Sequence, residues 1–327
     1  MKKKLNKSTV CALILLVVLV LSPMVIQSNY IYSVINFMLL YVIATSGLDL
    51  LFGYSGQISL GHAGFYALGA YGSALMSLHW GLHPLITMLI AAIIATAVGV
   101  VLAYPASKLK YHFLSLCTIG FGEIIYQLVV NSPGDITSGF SGLYGIPAVT
   151  IFGFKLSKNV PIFYMLLVFA VIFLFVKQRI VHSKVGRAFI AIRDNTTAAN
   201  GMGIDVTRYR VMAFGISAFY TAFAGALYAH FVRFISPETF TQEALSVPLL
   251  TMVLFGGLGT LWGPVIGSVV VTLVKELLQA TGTYQMIIYS GFIVIVLLFM
   301  PRGIMSFISG ILEKVKMKKE AKANVKN

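Results

Sequence analysis

Long apolar runs alternate along the chain with short polar segments. The runs are Val10–Ile26, Ile31–Leu51, Ile58–Leu78, Pro84–Tyr104, Phe113–Val130, Pro161–Val176, Val211–Phe231, Val247–Thr260, Val265–Leu278 and Tyr284–Met300. Apolar residues follow one another within them without strict alternation, so the pattern predicts helices rather than the strands of a barrel. A crossing of the hydrocarbon core takes about 20 such residues. The expected fold class is therefore all-α: a polytopic transmembrane helix bundle of about 8–10 spans. The lower number applies if Val247–Leu278 is one re-entrant hairpin, broken at Gly256-Gly257-Leu258-Gly259. The first run follows a lysine cluster, but no small-x-small cleavage site follows it, so it is read as a retained helix.

Composition agrees. Of 327 residues, 58% are hydrophobic and 10% charged, against about 25% charged in a soluble domain. Disorder, a collagen-like fibre and an ordinary soluble enzyme are excluded. The two cysteines, Cys11 and Cys117, both lie in apolar runs and imply no disulfide framework or metal site.

The net charge of +14 matters mainly for where it sits. It is concentrated at Lys2, Lys3, Lys4 and Lys7, in the tail from Glu313 onward, and between Lys177 and Arg210. Cations in short segments beside apolar runs mark the cytoplasmic side. Both termini are thus expected in the cytoplasm, which requires an even number of crossings. The expected organisation is a basic N-terminus (1–9), a membrane domain (10–311) and a basic tail (312–327). A cytoplasmic loop occupies 177–210 and an external loop 131–160. Nucleic acid is not an expected partner, because few base-stacking aromatics are interleaved with the charge.

No Walker, HExxH, GxSxG or GxGxxG pattern is present. The chain is read as a non-enzyme with no catalytic residue, no metal and no cofactor, and any coupling to ATP must come from a partner. The segment Gly186–Ile204 is the most informative. Phe189, Ile192, Ala199 and Met202 share one apolar stripe at helical spacing. Asp194 or Asn195 can cap a second short helix, and Gly203 can end it. Two short helices at the membrane surface are predicted, suited either to a groove on a soluble partner or to the lipid surface.

Ionisable groups inside lipid are costly. Glu123 sits mid-run, Asp49 near the end of a run, and His62 among Gln57, Ser59 and Tyr66. Gly56, Ser59, His62, Glu123, Gly256 and Gly259 form the candidate translocation path; the bland alternative is hydrogen bonding between helices. Gly61, Gly64 and Gly69, and separately Gly215, Ala218, Ala222 and Gly225, make small faces for close packing. Leu51-Phe52-Gly53 with Gly56 and Gly64 repeats in Leu254-Phe255-Gly256 with Gly259 and Gly267 at a constant offset, a hint of an internal repeat. These copies cannot run in opposite directions in the expected topology. The glycine- and serine-rich stretch Thr137–Pro147 reads as a connector or an outer docking surface.

Thr197-Ala198-Ala199 with Gly203 resembles the Glu-Ala-Ala-xxx-Gly loop by which ABC importer permeases dock their ATPase, with Thr197 in the glutamate's place. The stretch Gly47–Tyr71 resembles the signature of the LivM branch of branched-chain amino-acid permeases. Ala191–Asn195, Ala213–Ala218 and Gly256–Pro264 are similar to that family too, in the same order, and the likeness covers roughly residues 40 to 305. It implies a permease subunit importing leucine, isoleucine or valine across a bacterial plasma membrane. It also implies several partners: a second, LivH-type permease, two ABC ATPase subunits and an extracytoplasmic binding protein. The ATPase-coupling residues would be Gly186, Arg187, Phe189, Ile192, Arg193, Asp194, Ala198, Ala199 and Gly203. Related permeases for urea, short amides or other amino acids stay open, as does an ion-coupled transporter working alone.

Overall fold

The computed structural model describes residues 19–23, 28–107, 111–132, 134, 136–151, 153–299 and 303–304. Most of the run Val10–Ile26, the basic N-terminus and the basic tail lie outside the described residues, and so do Lys108 and Lys110. The helices are α1 (Asn29–Asp49, continued by a π-helical turn Leu50–Tyr54), α2 (His62–His79), α3 (Pro84–Ala106), α4 (Tyr111–Val130), α5 (Asn159–His182), α6 (Lys184–Asp194), α7 (Thr196–Gly201), α8 (Val206–Val232), α9 (Val247–Gly256), α10 (Gly263–Leu278) and α11 (Gln285–Phe299). The α-helical bundle is as expected.

Five elements among the described residues are long and apolar enough to cross a bilayer: Asn29–Tyr54, Pro84–Ala106, Phe113–Val130, Asn159–His182 and Val206–Val232. The run Ile58–Leu78 becomes helical only at His62, because residues 55–61 form a non-helical climb with Gly56 in the left-handed region. The run Val247–Leu278 is two short helices. Their register is antiparallel, with Gly256 against Gly263 and Gly267 against Met252. Only glycine fits at those crossings, since a Cβ at either position would land on facing backbone. The break at Gly257–Trp262 follows from Gly257 and Gly259, both at positive φ.

The expected external loop is not wholly irregular. β1 (Leu143–Tyr144) pairs with β4 (Phe234–Ile235), and β2 (Thr150–Ile151) with β3 (Phe154–Lys155). These strands lie at the end of the bundle opposite α6 and α7. The core is built by α1, α2 and α8, whose faces carry Leu40, Ile43, Phe65, Ala70, Phe214 and Ala222, all buried. α2 and α8 run parallel and nearly touch: a Cβ at Gly69 would strike the backbone of Ala222, and one at Gly225 the backbone of Tyr66. The two copies of the suspected repeat both descend toward the α6–α7 end and meet there, with Gly53 packed on the Gly259 amide.

Candidate functional site: a two-helix element clasped to a buried ion pair

Ser183 caps α6 by accepting from the amides of Val185 and Gly186. Of the two expected caps for the second helix it is Asn195 that serves: its Oδ1 accepts from the Ala198 amide at 3.0 Å. Gly203, at φ +81°, turns the chain after α7. The stripe read from spacing is not one outward face. Phe189, Ile192 and Ala199 are buried within the chain itself, and Phe189 meets Tyr209 edge-on. Met202 is 84% exposed. The apolar edge therefore seats the element on its own bundle. The edge turned outward carries Arg187, Asp194, Thr197, Ala198, Met202 and Gly203, while Gly186 and Ala188 are buried.

Arg193 ties this element inward. Its Nη1 donates to the Gly53 carbonyl at 2.8 Å, and Gly56 packs on its stem. Its Nε and Nη2 donate to Asp194. One turn up α1 from Gly53 is Asp49, paired with Lys177 of α5 at 2.7 Å, both fully buried. The clasp is completed by the glycine loop. The Gly259 amide donates to Asp49 Oδ1 at 2.8 Å, and Lys177 Nζ donates to the Thr260 carbonyl at 3.1 Å. Each charge thus has a backbone partner besides its ionic one, which a buried pair needs to offset desolvation. The pair corrects the reading of 177–210 as a loop: Lys177 lies inside α5, and the helix continues to His182.

The candidate path residues separate into three places. Gly56, Gly256 and Gly259 lie around the clasp. Ser59 and His62 lie deeper in the bundle, where His62 Nδ1 meets Ser59 Oγ at 3.0 Å and its Nε2 meets Ser217 Oγ at 2.8 Å. His62 is buried, and both its ring nitrogens are engaged by hydroxyls. Glu123, the third place, is apart from both. It lies on the exposed face of α4, beside Ile124 and Leu128, accepting from Gln127 at 2.9 Å, and Gln127 in turn accepts from Asn131. The reason is that α4 packs at the rim, on α2 and on residues 237–246.

Two helices begin at depth. Ser217 is about 17 Å along α8 and Thr118 about 10 Å along α4, at 1.5 Å per residue. The α2 N-terminus sits at their level: Leu60 donates to Thr118, and Gly61 packs on it. The start of α9 is there too, because Ser246 Oγ accepts from the Ala63 amide at 2.8 Å.

A profile described as "Branched-chain amino acid transport system / permease component" matches residues 30–300. The chain belongs to this permease family. It is 31% identical to the protein named high-affinity branched-chain amino acid transport system permease protein LivM of Salmonella typhimurium, an alignment covering 89% of this chain and 73% of that protein. Its likeness to LivM of Escherichia coli K12 has the same identity and coverage. The LivH permease of Escherichia coli K12 is 23% identical over 81% of this chain and 91% of its own length. No solved structure matches. As a permease of this family the chain is membrane-embedded, and its burial of ionisable groups is to be judged against lipid rather than water.

Lys177 and Lys275 escaped the sequence reading. Lys177 closes an apolar run and reads as its flank; the signal pointing inward would have been Asp49, an acid inside another run in need of a counter-charge.

Proposed function

We propose that this chain is the membrane-spanning subunit of an ATP-driven importer of branched-chain amino acids in a bacterial plasma membrane. Its companions in this reading are a second, LivH-type permease, two ABC ATPase subunits and an extracytoplasmic binding protein. Both termini and the α6–α7 element face the cytoplasm, and residues 131–160 face out. The observation that carries the reading is the bonded path from α6 through Arg193 to Gly53, and on to Asp49, Lys177 and Gly259.

The mechanism follows from that path. ATPase subunits grip the outward edge of α6–α7, around Asp194, Ala198 and Gly203. Because Phe189 and Ile192 are seated in the bundle, the element moves as a rigid body. Arg193 then passes the displacement to the end of α1, and the clasp passes it to the α9–α10 loop. Replacing Arg193 with alanine removes a charge-assisted bond worth about 1.5–3 kcal/mol. The expected result is roughly tenfold slower uptake at unchanged ATPase co-purification. Normal uptake at normal abundance would overturn the coupling route.

The Glu123–Gln127–Asn131 ladder turns a carboxylate out of the bundle within a span. Such a group faces protein or water rather than acyl chains, so this face of α4 looks onto the second permease and the path between the two. Glu123→Gln exchanges a charged hydrogen bond for a neutral one, a difference of ~1 kcal/mol. Uptake in proteoliposomes is expected to fall roughly fivefold while membrane abundance holds.

A further inference from the structure

Lys275 of α10 is a second intramembrane cation, and no carboxylate pairs with it among the described residues. Its depth follows from register. Thr45 of α1 bonds Ser268 of α10 at 3.0 Å, and Lys275 is two turns farther along, about 10 Å. That places it level with the middle of α1. Two cavities meet at this side chain. One, of about 380 Å³, is also lined by Glu243, Val247, Pro248, Tyr289 and Ser290. The other, of about 280 Å³, is lined by Tyr41, Thr272 and Glu276, and Glu276 accepts from Tyr30.

Thr272 is 6% exposed, and among the described residues neither its hydroxyl nor that of Tyr289 has a partner; both oxygens are sealed off behind the cavity walls. The Lys275 ammonium rests over the Tyr289 ring, 5.6 Å from its centroid. Val247 and Pro248 belong to the start of α9, the helix that begins at depth, and Glu243 to the π-helical turn Gln242–Ser246 that leads into it. A helix N-terminus favours negative charge, and Glu243 stands in the turn just before it.

We infer that these cavities form a binding site for a free zwitterionic amino acid within the membrane domain. The ligand carboxylate bonds Lys275. Its ammonium meets Glu243, and an aliphatic side chain lies on Val247 and Pro248. Opposite charges facing one cavity select a zwitterion over a simple anion or a cation. This rests on the proposed import of branched-chain amino acids and adds where the solute pauses.

The test uses the assembled transporter in proteoliposomes, with Cys11→Ser, Cys117→Ser and Ser290→Cys. Leucine is expected to slow modification of the new thiol by a thiol reagent. Leucinamide, which lacks the carboxylate, and 4-methylpentanoate, which lacks the ammonium, are expected not to. Lys275→Met and Glu243→Gln are each expected to raise the leucine KM roughly 10- to 100-fold, and Lys275→Arg to restore part of the loss. Leucine uptake without protection of the thiol would overturn the site. So would equal protection by 4-methylpentanoate, which would make this an anion or lipid pocket. If Lys275→Met fails to accumulate, Glu243→Gln, on an exposed position, decides alone. Absence of leucine, isoleucine and valine uptake in the unmodified transporter would instead sink the import reading.

Discussion

Lys177→Met is expected to remove most of the folded protein from the membrane. The substitution leaves Asp49 as an uncompensated charge in a fully buried position, an outcome worth about 3–5 kcal/mol. Native proteins hold roughly 5–15 kcal/mol in total, so a large share is lost at once. The double variant Asp49→Asn with Lys177→Met is expected to recover much of the deficit. It removes both charges together and keeps a side-chain oxygen to accept from the Gly259 amide. Thermal melting of a fluorescent fusion in detergent, read by size exclusion, makes the comparison. A double variant no better than the single one would show that the clasp holds by something other than charge balance.

Gly69→Leu carries the second large effect. A side chain there meets the Ala222 backbone of α8, which cannot rotate away as a side chain would. Overpacking a side-chain core costs about 1–3 kcal/mol, and a clash with backbone is expected at or above the top of that range. Gly225→Leu, on the same interface, is expected to behave alike. Gly120→Ala is the control, since a Cβ there meets nothing within 4 Å among the described residues; it is expected to leave abundance unchanged and melting unchanged or slightly raised, because alanine favours a helix interior over glycine.

These cases mark what the sequence discloses and what it withholds. Apolar runs located the helices, because lipid demands them wherever the chain crosses it. The break at Gly256-Gly257-Leu258-Gly259 and the cap on α7 were equally legible, since turn and cap chemistry is local; Ser183, which caps α6, was not singled out. The clasp was not. Asp49 and Lys177 are 128 positions apart, and a lysine closing an apolar run reads by itself as the edge of a loop. The stripe of Phe189, Ile192 and Ala199 revealed a buried face but not whose core it enters. Glu123 shows the same limit from the other side. Its place mid-run told of depth in the bilayer, while the direction it faces depends on α4 lying at the rim, which long-range packing decides.

Residues 237–246 bring the chain back to mid-depth before α9 begins. Glu243 stands exposed on this segment, and a carboxylate at that depth faces protein or water rather than acyl chains, so this flank is expected to turn away from the lipid annulus. The groove between α3, α5 and α8 is lined instead by Leu89, Ile172 and Phe219 and is at ease there. The molecule therefore has a fixed azimuth in its membrane. A spin label at Ile172 would be relaxed by dissolved oxygen, and one at Ala244 would be sheltered from it once the transporter is whole.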